Sequence, residues 1–262
     1  MSDQYEDVCY QAPFLRQVVL RLDFLEALAP LAASPPESVR GRLRSDFPLL
    51  AVKEATQKQV QLTLGTDGQP LQRVEREGTT IYEWVFQNER RSSSVTFTAS
   101  HVAIVYSQYR SFEELVRHLI ALLDALDTLS SDFSSKRIGL RYINNIEIHG
   151  PDPLDWSDYI HPDLLRAVSF CEQKESVSRA FGIIEQHLGT AYVRFQYGIA
   201  NPDHPAPVRR RAFVLDFDAY SDVSIQRGKV EGTVKRLHSV IQHLFERSIL
   251  DQLRSMMHAQ ST

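Results

Sequence analysis

Two carboxylates that could hold a metal ion lie close together in the segment RRRAFVLDFDAYSD. Asp216 and Asp218 are separated by one residue, so they project from the same face of a β-strand. Their oxygen atoms are suited to Mg²⁺, including Mg²⁺ that carries nucleotide phosphates. The alternative is that they form ion pairs with Arg21, Arg141 or Arg194 on neighbouring strands. A motif of only two residues favours the ion pairs, so we predict no metal and no cofactor.

Three consecutive arginines could contact phosphate groups. Arg209, Arg210 and Arg211 follow the proline-rich stretch NPDHPAP and lead into a strand. Arginines that neutralise phosphates supply much of the affinity of nucleic-acid-binding proteins. The alternative is a hairpin tip that its charges keep soluble. The formal net charge of −4 gives the chain no overall positive field, so nucleic acid is an alternative partner and not the favoured one.

No familiar catalytic or nucleotide-binding motif occurs in the sequence. It contains no G-x-S-x-G, P-loop, G-x-G-x-x-G, HExxH or CxxC, and its 11 glycines are few for a phosphate-cradling loop. His238 and His243 lie five positions apart on a predicted helix. This spacing does not align them on one face, so we expect surface histidines. Whether the protein is an enzyme therefore stays open, and no reaction is predicted.

The composition is that of a folded globular protein. The chain has 262 residues, of which 43% are hydrophobic and 24% charged, and this length can bury a sizeable core without metal or disulfide bonds. Cys9 and Cys171 match no metal or disulfide pattern. The polar N-terminal residues predict no signal peptide, and no apolar run is long enough to span a bilayer. We therefore expect a cytoplasmic protein that does not bind a membrane.

The elements that must position these residues form two similar halves. Residues 1–132 predict a strand, a short helix, four strands that begin with QKQVQLTLG, and a long helix. Residues 133–262 predict a strand, a short helix, three or four strands and a second long helix. The leading strands VVLRLDF and IGLRYIN align Arg21 with Arg141. We interpret this order as an internal duplication within one continuous module.

The predicted fold class is α+β, with a curved antiparallel sheet backed by long helices. The order of elements is also that of the TATA-binding-protein-like unit, a likeness of topology alone. The first long helix begins at Ser111, which forms a capping box with Glu114. The last helix is predicted from Lys229 to Met257, and it would be about 42 Å long at about 1.5 Å per residue. We expect its end to project and to pair with another protein or a second copy.

Alternation along the strands separates a polar sheet face from an apolar one. Side chains alternate across a strand, and an antiparallel sheet with helices on one side shows this pattern. The binding residues that we predict on the polar face are Arg21, Arg141, Asn145, Arg194, Asp216 and Asp218. Asn144 is the polar residue on the apolar side. It is predicted to hydrogen-bond a helix end or a loop backbone, or else to be a further binding residue.

Three stretches of the sequence resemble a known family. They are APFLRQVVLRLDF, RIGLRYINNIEI, and FVLDFDAY followed by LHSVIQHLFERSILDQLRSMM. In this order the chain is similar to the TIGR family of sporadically distributed prokaryotic proteins of this length. The Gly-Leu-Arg-Tyr-Ile-Asn core is the most specific segment, whereas the family pattern has a basic residue where Asn145 stands. The resemblance implies a single full-length module and a horizontally moving gene, and it implies no activity.

These observations favour a non-catalytic binding or interaction module that uses the polar sheet face. The first alternative is a nucleic-acid or nucleotide binder in which the three consecutive arginines contact phosphate. The second alternative is an enzyme built on the Arg/Asp sheet face.

Overall fold

The computed structural model describes residues 8–32, 34, 37–56, 59–64, 70–76, 80–130 and 133–261. The strands are β1 (Val8–Tyr10), β2 (Leu15–Phe24), β3 (Leu49–Thr56), β4 (Gln59–Leu64), β5 (Pro70–Arg76), β6 (Thr80–Gln87), β7 (Ser93–Phe97), β8 (His101–Tyr106), β9 (Ser134–Glu147), β10 (Ala180–Leu188), β11 (Ala191–Ile199), β12 (Ala212–Ser221), β13 (Ile225–Gln226) and β14 (Ala259–Ser261). The α-helices are α1 (Glu37–Leu43), α2 (Phe112–Asp127), α3 (Arg166–Ser169), α4 (Val230–Ser248) and α5 (Asp251–Met257).

A ten-stranded antiparallel sheet forms the centre of the described structure. Its order is β10-β11-β12-β9-β2-β8-β7-β6-β3, and the short strand β13 also pairs with β9. The sheet is curved and does not close on itself. Strands β2 and β9 pair in the middle, so the sheet runs across the boundary between residues 1–132 and 133–262. On either side of this pair the strands follow one another outward in decreasing chain order, with β8, β7, β6 and β3 on one side and β12, β11 and β10 on the other.

The central strand pair has a symmetric register. Leu20 lies opposite Leu140, Val19 lies opposite Arg141, and Arg21 lies opposite Gly139. If Arg21 corresponds to Arg141, then position 20 corresponds to 140 and position 19 to 139. A two-fold rotation at the Leu20–Leu140 pair therefore exchanges these positions. The likeness to the TATA-binding-protein-like unit remains a prediction.

The α+β fold class is confirmed, and the reason is visible in the strand periodicity. Val18, Leu20 and Leu22 of β2 are fully buried, whereas the alternate residue Arg21 is exposed. The buried face packs against α2 and α4. For example, the Tyr106 hydroxyl of β8 lies 2.6 Å from Nδ1 of His118 in α2.

The beginning of α2 agrees with the sequence prediction. The hydroxyl of Ser111 accepts a hydrogen bond from the backbone N–H of Glu114 at 3.2 Å, so it satisfies one of the free N–H groups of the first turn. Leu115, Leu119 and Leu122 then lie fully buried on the face towards the sheet. This amphipathic spacing fixes the helix on the apolar side of the sheet.

One predicted strand of the first half is not part of the main sheet. Gln59–Leu64 pairs with Pro70–Arg76 in a separate two-stranded sheet. The edge strand of the main sheet is instead Leu49–Thr56, which pairs with β6 along its length and which the sequence pattern did not indicate. Its sequence, LLAVKEAT, contains alanine, lysine and glutamate, which are depleted in strands. Pairing with a neighbour overrides that weak local preference.

The predicted single helix from Lys229 to Met257 is wrong, because the chain breaks between α4 and α5. At Ile249 the backbone is extended, with φ −113° and ψ 155°, and Ile249 forms a β-bridge with Ile160. The N–H of His161 donates to the carbonyl of Ser248 at 2.9 Å, and the N–H of Leu250 donates to the carbonyl of Tyr159 at 2.8 Å. These tertiary hydrogen bonds replace the helical ones at the break.

The end of the chain consequently folds back and does not project. Met257 at the end of α5 is fully buried. The following strand β14 pairs with β1 near the N-terminus. The prediction that a long terminal helix extends towards a partner therefore has no structural basis in the described residues.

Candidate functional site

The predicted polar residues share the sheet face that is opposite to the helices. In the antiparallel register, Asp218 lies between Arg141 on β9 and Arg194 on β11. Residues that are opposite each other in a sheet project from the same face. Asp216 is two positions from Asp218, and Arg21 is opposite Gly139, two positions from Arg141. The structure therefore brings these five site candidates together on one surface, which we call the open face.

The arginines of the open face are paired with carboxylates of the same chain. Arg141 donates to both carboxylate oxygens of Asp216, from Nε at 2.8 Å and from Nη2 at 2.6 Å. Arg194 lies 3.7 Å from Glu185. Among the described residues, Arg21 also pairs with Asp23, and Arg137 pairs with Asp218 and Asp222.

For Asp216 and Asp218, the sequence favours ion pairs with arginines over a metal site. Both oxygens of Asp216 accept hydrogen bonds from Arg141. The hydrogen bonding to Asp216 is the main reason that the pKa of the Arg141 guanidinium is raised. The pKa of the Asp218 carboxyl is also raised, mainly by burial. Within the described ranges, no cluster of three or more histidine, cysteine, aspartate or glutamate residues could hold a metal ion.

A row of stacked rings crosses the open face beside these pairs. The rings of His187 and Tyr192 are parallel within 4°, with centroids 4.4 Å apart. Tyr192 stacks in turn on Tyr220 at 5.4 Å. The guanidinium carbon of Arg137 lies 4.4 Å from the centroid of Tyr220, within the range of a cation–π contact. The row is thus a stacked aromatic surface that ends at the ion-paired guanidinium of Arg137.

The three consecutive arginines do not form one phosphate-binding group. Arg209 and Arg210 are exposed, and Arg210 lies 3.9 Å from Asp203. Arg211 differs, because its side chain is only 9% exposed. Its guanidinium lies over the rings of Trp156 and Tyr159, at 5.4 and 4.9 Å. It is a packing residue, so only the other two arginines are placed to contact phosphate.

The two adjacent asparagines point to opposite faces, as the alternation predicts. Asn145 lies on the open face, where its amide donates to Glu147 at 2.7 Å. Asn144 is 5% exposed on the helix side, and its amide donates to the backbone carbonyl of Leu215 at 3.2 Å. The partner that we expected was a helix end or a loop, but it is a strand carbonyl. Asn144 also lines a cavity that the sequence did not indicate.

This cavity has a volume of about 380 Å³ and lies between α2, α4 and the apolar face of the sheet. Aromatic and aliphatic side chains form most of its wall, together with a few polar groups. Its lining residues are Cys9, Tyr10, Pro13, Leu15, Tyr109, Arg110, Ser111, Phe112, Glu113, Tyr142, Asn144, Phe217, His238, Ile241, Gln242 and Phe245. A cavity of this size and composition is typical of small-molecule sites.

A chain of hydrogen bonds runs along one wall of the cavity. The hydroxyl oxygens of Tyr109 and Tyr142 are 2.8 Å apart, and the Tyr142 hydroxyl lies 3.2 Å from Nδ1 of His238. The imidazole also stacks on Phe112, with centroids 3.8 Å apart. Burial lowers the pKa of His238 from 6.5 to about 4, although Glu113 acts in the opposite direction. The His238 ring is therefore neutral at pH 7.

This wall is not apparent in the sequence, for identifiable reasons. His238 was expected at the surface because it shares no helix face with His243. Its role becomes apparent only when Phe112 and Tyr142, which are distant in sequence, pack against it. The one available signal was that Tyr142 and Asn144 both lie on the apolar side of β9, where polar atoms need partners.

A scan against protein-family models and a search of curated proteins found no match for this chain. The resemblance to the sporadically distributed prokaryotic family thus stays a prediction. In the described part of the chain, no helix combines the length and the apolar character that crossing a bilayer requires.

Proposed function

We propose that the protein is a non-catalytic binding module that engages another protein through its open face. The observation that carries this proposal is the row of His187, Tyr192, Tyr220 and Arg137 on a surface that α2 and α4 leave uncovered. Tyrosine and arginine are enriched at protein interfaces and in their hot spots. Here their side chains are already ordered by stacking, so binding would cost little conformational entropy.

The balance of charges on the open face favours a protein over a nucleic acid. Four arginines form ion pairs with five carboxylates there. A polyanion would be repelled by these carboxylates and would have to displace them from the arginines. A protein surface of mixed charge can instead complement both signs. We place this interaction in the cytoplasm, where the free cysteines Cys9 and Cys171 would stay reduced.

We also infer that the two halves arose by duplication. The symmetric register at Leu20 and Leu140 supports this inference, as does the repeated outward order of strands. Arg21 and Arg141 would then be equivalent residues of two ancestral copies. Their different present partners, Asp23 and Asp216, would reflect later divergence of the two halves.

The test is site-specific photo-cross-linking in the native host. A benzoylphenylalanine placed at Tyr192 should give a discrete protein adduct, which the additional substitution Arg194→Glu should weaken. The same group placed at Phe170, which is 89% exposed and lies outside the sheet, is the matched control. Equal adducts from both positions, or none from position 192, would contradict the proposal.

Nucleic acid is tested separately by fluorescence anisotropy with duplex and single-stranded oligonucleotides. We expect no salt-dependent binding. Salt-dependent binding that is lost in the double variant Arg209→Ala/Arg210→Ala would support the alternative function and count against the protein partner.

A further inference from the structure

We propose that the cavity between α2, α4 and the sheet is a binding site for an uncharged, planar aromatic molecule that carries a hydrogen-bond donor. This site is on the side of the sheet opposite to the open face, and it is independent of the proposed protein partner. Its volume of about 380 Å³ falls within the range of ligand pockets, roughly 300 to 1,000 Å³.

The wall of the cavity favours an aromatic ligand. Tyr109, Phe112, Tyr142, Phe217 and Phe245 all contribute rings. Aromatic pairs prefer offset or edge-to-face contacts, which are worth more than the buried area alone. Several rings of the wall already pack in this way, such as Tyr109 and Tyr142 with an interplanar angle of 85°. A flat ring can extend this arrangement, whereas a branched aliphatic ligand cannot.

The electrostatics of the interior favour an uncharged ligand. The uncharged polar groups of the cavity wall include the hydroxyls of Tyr109 and Tyr142, the imidazole of His238 and the amide of Asn144. Burial holds the tyrosines protonated, because it raises the pKa of both hydroxyls, and it holds His238 neutral. The lining residues that carry charge, Arg110 and Glu113, are both exposed. A charged group inside the cavity would lose its hydration without gaining an opposite charge.

Asn144 provides the polar contact that selects a donor. Its amide nitrogen donates to the carbonyl of Leu215, so its orientation is fixed. Its carbonyl oxygen is then the part of the amide left to accept a hydrogen bond from a ligand. The residue is 5% exposed and lines the cavity. A ligand N–H or O–H that donates to this oxygen would gain a hydrogen bond inside a mostly apolar cavity.

The ligand site can be tested with small probes and a local readout. Cys9 lines the cavity, and after Cys171→Ser it is the only thiol of the chain. Indole, a neutral bicyclic ring with an N–H donor, should slow the reaction of Cys9 with a thiol reagent in a saturable way. Naphthalene, which lacks the donor, should bind roughly 3- to 10-fold more weakly. Indole-3-carboxylate should bind more weakly than indole.

Two variants connect this protection to the cavity. Leu15→Trp should abolish protection by filling the space from a half-buried position, and Asn144→Leu should reduce the preference for indole over naphthalene to near unity. Val223→Trp, at an exposed position that does not line the cavity, should leave protection unchanged. The melting temperature of each variant shows whether it is folded.

Three outcomes would overturn the proposal. The first is the absence of saturable protection of Cys9 by indole at millimolar concentration. The second is protection that persists in a folded Leu15→Trp variant. The third is tighter binding of indole-3-carboxylate than of indole, which would show that Arg110 selects an anion.

Discussion

Arg141 and Asp216 form a two-point ion pair between neighbouring strands that are not in direct register at these residues. The residue opposite Arg141 is Asp218. The guanidinium of Arg141 nevertheless reaches diagonally to Asp216, with contacts of 2.8 and 2.6 Å. Two parallel charge-assisted hydrogen bonds are stronger and more directional than a single contact. Asp216 is 8% exposed, so this diagonal contact is what satisfies a nearly buried carboxylate.

Loss of Arg141 should therefore destabilise the fold. Arg141→Ala leaves the carboxylate of Asp216 buried without its partner, and we expect a loss of about 1–3 kcal/mol in the free energy of unfolding. The matched control is Arg194→Ala. The Arg194 side chain is 51% exposed, and its ion pair with the exposed Glu185 is longer, at 3.7 Å. This change should cost about 0–1 kcal/mol. Urea denaturation measures both values, and equal losses in the two variants would contradict the assignment.

A second buried carboxylate connects the first strand, β1, to the last two helices. Glu246 of α4 is 2% exposed. It accepts a hydrogen bond from the hydroxyl of Tyr10 at 2.8 Å and one from Nε of Arg254 at 3.0 Å. The network thus connects β1, α4 and α5, and it secures the helix break that the sequence did not predict.

We expect Arg254→Met to cost about 3–5 kcal/mol of unfolding free energy, because it leaves Glu246 as an uncompensated buried charge. Arg247→Met is the control, since Arg247 is exposed on the same helix as Glu246. The double variant Glu246→Leu/Arg254→Met should recover much of the loss, because it removes both charges. A double variant that is less stable than Arg254→Met alone would disprove this account.

Alternation of side chains was the part of the structure that the sequence could predict. Strand parity depends on local geometry alone, so the alternation predicts that Arg21, Arg141 and Arg194 lie on the polar face, and the strand register places them there. The cap at Ser111 was equally local, since its partner Glu114 lies within the same helical turn.

The features that could not be predicted depend on contacts between residues distant in sequence. The break at Ile249 results from a bridge to Ile160. Residues 249 to 253 contain no proline or glycine from which the break could be predicted. The cavity forms where α2, α4 and β9 converge, so its polar wall exists only in the folded chain. Likewise, the burial of Arg211 depends on Trp156 and Tyr159, and a basic run in the sequence does not reveal it.

The different environments of Arg210 and Arg211 give a prediction about stability. Arg211 covers two aromatic rings, and it also donates to the backbone carbonyl of Asp155. Arg211→Ala removes these contacts, so we expect a loss of about 1–3 kcal/mol in the free energy of unfolding. Arg210→Ala should change it by less than about 0.5 kcal/mol, since surface substitutions usually do. Chemical denaturation of the two single variants compares them directly. A small effect of Arg211→Ala would contradict the assignment of Arg211 as a packing residue.

The buried imidazole of His238 should make stability depend on pH in a defined direction. Its pKa is lowered from 6.5 in the unfolded chain to about 4 in the folded protein, mainly by burial. The unfolded state therefore binds the proton more readily, and stability falls as the pH is lowered. The loss begins near pH 6.5 and is complete below about pH 4. This difference corresponds to about 3 kcal/mol.

The variant His238→Gln isolates this effect, because glutamine has no proton to take up and can still hydrogen-bond Tyr142. His101 and His118, whose pKa values burial also lowers, remain in both proteins and cancel in the comparison. We expect the stability of the parent protein, relative to the variant, to decrease by about 3 kcal/mol between pH 7 and pH 4. Urea denaturation at a series of pH values measures this difference. If it stays constant, or changes in the opposite direction, the imidazole is not held neutral by the packing of Phe112 and Tyr142 around it.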